Sequence, residues 1–128
     1  MKLILFGNPA IQSDSLALKV GEQLKGNYDT THLGSPFDLL TRIENDPSFF
    51  DDAVILDVAH GIDEPKLFQD LDRLHTIRLG SLHDFDMAFF IKLLNRIGRL
   101  EPPRILALPV GMGVEEAAAA VEGFLKLE

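Results

Sequence analysis

The chain contains no cysteine, and this removes disulfides, thiolate metal sites, iron–sulfur ligation and a cysteine nucleophile together. Any metal it meets has to be held by oxygen and imidazole nitrogen. Clusters of basic residues are missing as well. Lys and Arg number 12 against 20 Asp and Glu, they are scattered, and the formal net charge is −8. A nucleic-acid backbone rewards clustered cations, so no nucleic-acid partner is expected. No apolar run reaches the roughly 18 residues needed to cross a bilayer, so membrane insertion is not expected either. The opening Met1–Phe6 is apolar, but it is shorter than the central region of a signal peptide and Asn8-Pro9 interrupts it at once. The expected location is cytoplasmic.

What remains is the composition of a folded domain. Of 128 residues, 46% are hydrophobic and 25% charged, the balance of a globular chain able to bury a core without staples. A single domain over residues 1–128 follows, with no repeat, linker or low-complexity segment. Its acidic surface suits solubility or a basic partner segment.

Apolar runs and helical periodicities alternate along the chain. Lys2–Phe6 reads as a short buried strand that ends in Gly7-Asn8-Pro9. A helix is predicted from Asp14 to Lys25, because Leu16, Val20 and Leu24 repeat every four residues and Ala17 widens the stripe. Gly26-Asn27 stops it. Tyr28–Leu33 reads as a second strand, and a helix then opens with Ser35 as N-cap and Pro36 in its first position. Ala53–Val58 is the clearest strand, and its unbroken apolar character suits a central position covered on both faces. His60–Pro65 reads as a loop. Lys66–Leu74 is open to two readings, a helix on the spacing of Leu67, Leu71 and Leu74 or an edge strand over Lys66–Gln69, of which the short strand is preferred; Thr76–Leu79 reads as another strand. Asp84–Ile97 has the density of Phe, Met, Leu and Ile of a largely buried helix. Arg104–Pro109 is a last strand, Gly111 and Gly113 make a loop, and Val114, Ala117, Ala118, Val121 and Leu125 mark one face of a terminal helix. This order predicts an α/β three-layer sandwich: a mostly parallel twisted sheet with helices on both faces.

In such a sheet, ligands sit beyond the carboxyl ends of the strands. Three polar residues fall at those junctions. Asp14 starts the first helix, Asp57 lies near the end of the central strand, and His83 stands between the strand ending near Gly80 and the helix starting near Asp84. Two carboxylates and an imidazole can hold a divalent transition metal while leaving coordination positions open. Each has an ordinary structural reading beside this one. Asp14 is a good helix N-cap. Asp57 suits a carboxylate that accepts backbone amides, since burying it alone costs several kcal/mol. A lone histidine such as His83 is more often structural than a ligand. His60 is near enough to Asp57 in sequence to join the site, whereas His32 and His75 read as strand or surface residues. The segment Gly7–Ser13 links a strand to a helix N-terminus, yet it lacks the Gly-x-Gly-x-x-Gly spacing and the Walker lysine. A flavodoxin-like small-molecule domain is therefore disfavoured. Ser13 is not in a Gly-x-Ser-x-Gly elbow, which disfavours a serine hydrolase built on Ser13, His83 and Asp57.

Gly7-Asn8-Pro9 leading to Asp14, then Ala53-Val54-Ile55-Leu56-Asp57, then Gly80-Ser81-Leu82-His83-Asp84 before a long apolar helix, resembles the hydrogenase maturation endopeptidase family. The correspondence runs in order over nearly the whole chain, including the Gly34 region before a Leu-Leu pair and the alanine-rich terminal helix. The resemblance implies a peptidase that removes a C-terminal extension from the large subunit of a nickel–iron hydrogenase after nickel insertion. It places Asp14, Asp57 and His83 at the family's three metal-contacting positions. Nickel would be presented by the substrate on its own cysteines, which fits the absence of cysteine here, and another divalent metal is conceivable in isolation. The implied partner is the precursor of a nickel–iron hydrogenase large subunit. Attack on the amide by a carboxylate-activated water or polarisation by metal both fit general chemistry.

The chain departs from the family at the first turn. An acidic-acidic-Gly-x-Gly pattern is replaced by Ser13-Asp14-Ser15-Leu16-Ala17, with one acid and both glycines lost. Leu108-Pro109-Val110-Gly111 replaces a more polar ending of the last strand. These departures leave open an inactive relative, a non-catalytic binding or maturation partner with the same fold.

Overall fold

The computed structural model describes residues 2–6, 15–33, 36–46, 48–49, 51–68, 78–79 and 104–126. Three apolar runs form its central strands: β1 (Lys2–Leu5), β3 (Ala53–His60) and β6 (Arg104–Pro109). The more polar β2 (Asp29–His32) and the short β4 (Lys66–Phe68) and β5 (Arg78–Leu79) surround them. The described helices are α1 (Leu16–Leu24), α2 (Pro36–Asn45) and α3 (Val114–Lys126). The sheet order is β2-β1-β3-β6-β4. The pairs β1–β2, β1–β3 and β3–β6 are parallel, while β4 runs antiparallel to β6 and β5 antiparallel to the end of β3. The expected mostly parallel α/β architecture is what forms.

Strand alternation divides the core into two faces. Leu3 and Leu5 of β1, Val54, Leu56 and Val58 of β3, and Leu106 and Leu108 of β6 share one cluster with α1 and α3. From α1 the cluster takes Leu16, Ala17, Val20 and Leu24; from α3 it takes Ala117, Ala118, Val121 and Leu125. These are the stripes that the sequence periodicity marked. Gly21 lies on the α1 stripe, where a Cβ would come within 2.3 Å of Leu5 Cδ1. The missing side chain therefore lets the helix settle closely on β1. The alternate residues Ile4, Ile55 and Ala107 are fully buried on the opposite face. The connection β1–α1–β2 and the return β2–α2–β3 move in opposite directions across the sheet. Right-handed crossovers then put α1 and α2 on opposite faces, which gives the three layers.

Several boundaries differ from the sequence reading. The first helix begins at Leu16, with Ser15 as its N-cap residue, and not at Asp14. β3 continues through His60, which pairs with Arg78, so His60 belongs to the strand and not to the following loop. The break comes at Gly61, whose φ of +84° favours glycine. Asp57 consequently sits inside the strand, before Val58, Ala59 and His60. The short strands at Lys66 and before Gly80 form as expected over their described residues, and Pro36 opens α2. The predicted helix Asp84–Ile97 lies outside the described residues, as do Gly7–Asp14, Gly34-Ser35, His75 and His83.

Candidate active site at the sheet switch point

Chain order reverses between β1 and β3: from β1 the chain moves outward to β2, then crosses back to β3 on the other side. Crevices at such reversals, beyond the carboxyl ends of the strands, are where open α/β sheets bind ligands. The pairing of β1 with β3 ends at Leu5 and Leu56, and Phe6 N–H adds a last bond of 2.9 Å to the Leu56 carbonyl. The very next residue of β3 is Asp57.

Asp57 is 1% exposed and alternates with Leu56 and Val58, so it belongs to the face of Ile55 and not to the α1–α3 cluster. Its register partner on β6 is Ala107, a small residue. Its Oδ1 accepts the backbone N–H of Val58 at 2.8 Å. The local reason is visible in the ladder. Because Leu56 directs its carbonyl to β1, Val58 also directs its backbone groups to that side. There the pairing with β1 has already ended. Asp57 thus satisfies a buried donor that would otherwise lack the partner supplied to Leu56. The amide-accepting reading of Asp57 is therefore correct as far as it goes, and the same residue stands at the crevice.

Further along the same side of β3, β5 takes the place beyond the end of β1: Ala59 pairs with Leu79 and His60 with Arg78. Since β6 occupies the other side of β3 as far as Ala59, β5 and β1 must lie end to end beside β3. Leu79 precedes His83 by four positions in the sequence, and Ser15 immediately follows Asp14. Ser15 is itself buried at the start of α1. Asp14, Ser13, His75 and His83 are outside the described residues, as is the side chain of His60. Of Asp14, Asp57 and His83, Asp57 is the one that lies among the described residues. Among the described residues, no group of three or more His, Cys, Asp or Glu side chains converges to hold a metal.

His32 is exposed at the end of β2 and not beside Asp57. It helps line a cavity of about 400 Å³ between β2 and α2, with Leu33, Asp38, Thr41, Arg42, Asn45, Asp46 and Phe49. No sequence motif marked this cavity, because its walls come from two elements whose polar residues have no shared spacing. In its wall, Asp46 accepts both the hydroxyl of Ser48, at 2.7 Å, and its backbone N–H, at 3.1 Å. These bonds hold the Asp46 carboxyl below its usual value of 3.8.

No family model and no curated protein sequence matches the chain. Solved structures do match. The NiFe hydrogenase maturation protease HybD from Thermococcus kodakarensis superposes with a TM-score of 0.67 at 23% identity, covering 96% of this chain and 97% of that one. A crystal structure of an uncharacterized protein from Wolinella succinogenes superposes with a TM-score of 0.59 at 14% identity, over 98% and 93% of the two chains. The chain therefore has, over nearly its full length, the fold of a hydrogenase maturation protease.

Proposed function

We propose that this chain is an endopeptidase that matures a nickel–iron hydrogenase large subunit by removing its C-terminal extension after nickel insertion. The observation that carries the reading is the burial of Asp57 at the switch-point crevice of a chain that shares the whole fold of a maturation protease. In this reading Asp14, Asp57 and His83 form the recognition triad. Nickel belongs to the substrate, held by its cysteines, and the three side chains complete its coordination. The placement of β5 beside β3 supports the convergence, because it delivers the chain to the crevice four positions before His83. The reaction takes place in the cytoplasm, and no described helix is long and apolar enough to cross a membrane.

The test is processing of a nickel-loaded precursor by the purified chain. Asp57→Asn and His83→Ala should each abolish the shortening of the precursor on a gel while the circular dichroism spectrum stays that of the parent. Full cleavage by both variants would exclude the triad. A second reading, a non-catalytic maturation partner, draws on the first turn, where Ala17 is fully buried at a position the resembled family fills with glycine. Tight binding of the precursor by the parent protein without any cleavage would favour that reading over the peptidase.

A further inference from the structure

We infer that the turns at the carboxyl ends of β3 and β6 form an apolar platform, centred on Val110, which receives an apolar side chain of the precursor a few residues from the point held at Asp57. This rests on the peptidase reading and deepens it, since it assigns a specificity contact to the same crevice. β3 and β6 are parallel neighbours, with Asp57 level with Ala107 and Ala59 level with Pro109. Two residues past that last pair each strand breaks at a glycine, Gly61 and Gly111, and both have a φ of +84°. A Cβ on either would meet nothing within 4 Å. The positive φ accounts for glycine at these places, and the open space beside both lets the backbone of another chain approach closely.

Pro109–Met112 is a turn closed by Met112 N–H, which donates to the Pro109 carbonyl at 3.4 Å. Its third residue, Gly111, has a positive φ and Val110 does not, the pattern of a type II turn. Both ends are anchored: Pro109 is buried in the strand, and Met112 packs against the core cluster. The corner residue Val110 is thus fixed in place, and among the described residues it is the large hydrophobic side chain left exposed, at 36%. Ile62, which follows Gly61 in the neighbouring turn, is half-buried, as is Met112. A valine alone on a surface needs no explanation. This one is held on a closed turn at the rim of the crevice, in company with two half-buried apolar side chains. Continuity with the crevice names the occupant. Val110 lies three residues beyond Ala107, the register partner of Asp57, so about 10 Å separates the two levels along the strand. An extended precursor segment leaving Asp57 along this rim covers that span in about three residues, and the side chains that meet it there are aliphatic.

The experiment compares cleavage kinetics of the full chain and three Val110 variants on the nickel-loaded precursor. Val110→Asp should raise KM at least about tenfold, because a carboxylate would be desolvated beneath the bound side chain. Val110→Thr, close in shape, should raise it about threefold, and Val110→Ile should stay within about twofold of the parent. The kcat and melting temperature of all three should match the parent's, since the side chain is exposed and removed from Asp57. An equal KM for the parent and Val110→Asp overturns the platform, while cleavage itself leaves the peptidase reading standing. A fall in kcat at constant KM, or a rise in KM that Val110→Ile shares, overturns the platform as well, because neither is the loss of an apolar contact. If the parent binds the precursor and does not cleave it, the peptidase reading fails by itself, and the same ratios measured in Kd decide the platform. Absence of binding by the parent overturns both.

Discussion

Replacing Asp57 by asparagine and by alanine separates the two duties that the structure gives it. The carboxylate is 1% exposed and its Oδ1 accepts Val58 N–H at 2.8 Å where the pairing with β1 has ended. Asparagine keeps the shape and an oxygen at the same place, so the donor of Val58 stays satisfied. Alanine removes the acceptor and leaves a buried N–H, which costs about 1–3 kcal/mol, and the small void adds to it. Asp57→Asn should therefore lie within about 1 kcal/mol of the parent protein and Asp57→Ala about 2–4 kcal/mol below it. Urea denaturation followed by circular dichroism reads both values, with the midpoint falling and the slope unchanged. In parallel, both variants should fail to process a nickel-loaded precursor. An Asp57→Ala protein as stable as the parent would refute the account of the strand end. An active Asp57→Asn protein would show the residue to be a backbone partner and nothing more.

Three further outcomes follow from the packing and the charges. Gly21→Ala improves helix propensity by about 1 kcal/mol, but its Cβ meets Leu5 Cδ1 at 2.3 Å and Leu5 Cδ2 at 3.0 Å within a closed core. A net loss of about 1 kcal/mol is expected from overpacking, and an increase in melting temperature would contradict it. Leu106→Ala, at a fully buried central position, should cost about 2–5 kcal/mol in chemical denaturation; a cost under about 1 kcal/mol would mean that the face between β6 and the helices is loosely packed. The Asp46 carboxyl, lowered by the hydroxyl and then the amide of Ser48, should titrate by carbon NMR below 3.8. Because its folded value is depressed, its contribution is present above the unfolded value and lost as pH falls through the folded one. Ser48→Ala should move the midpoint back upward, and no movement would deny the hydroxyl its part.

The legible portions of the fold are those where one physical signal dominates. Ile4, Ile55 and Leu106 stand in uninterrupted apolar runs, and strands buried on both faces need such runs. The α1 and α3 stripes declared themselves through helical spacing, with Gly21 the buried member hidden by having no side chain. Where β3 stops was less legible. His60 is polar and adjoins Gly61, so local composition reads as loop, while pairing with Arg78 extends the strand. Ladder bonds made to residues distant in sequence override that local preference. The position of β4 beside β6, antiparallel, depends likewise on a long-range pairing that no local pattern encodes. Asp57 was conspicuous as a carboxylate in an apolar strand, yet its bond to Val58 became intelligible only once the end of β1 was known. The cavity beside β2 is not legible in the sequence, because Leu33, Arg42, Asp46 and Phe49 meet through packing alone.

The position of β6 has a consequence for the order in which the molecule can be assembled during synthesis. β6 fills the place between β3 and β4, although both of those strands leave the ribosome well before it. Until Arg104–Pro109 emerges, one flank of β3 and the strand Lys66–Phe68 lack the partner that each has among the described residues. A nascent chain halted ahead of this segment would display an open, strongly apolar strand, the kind of surface that chaperones hold. Arrival of β6 and then α3 would seal that gap in one cooperative event, so the domain gains its protection from proteases only once both segments have been made.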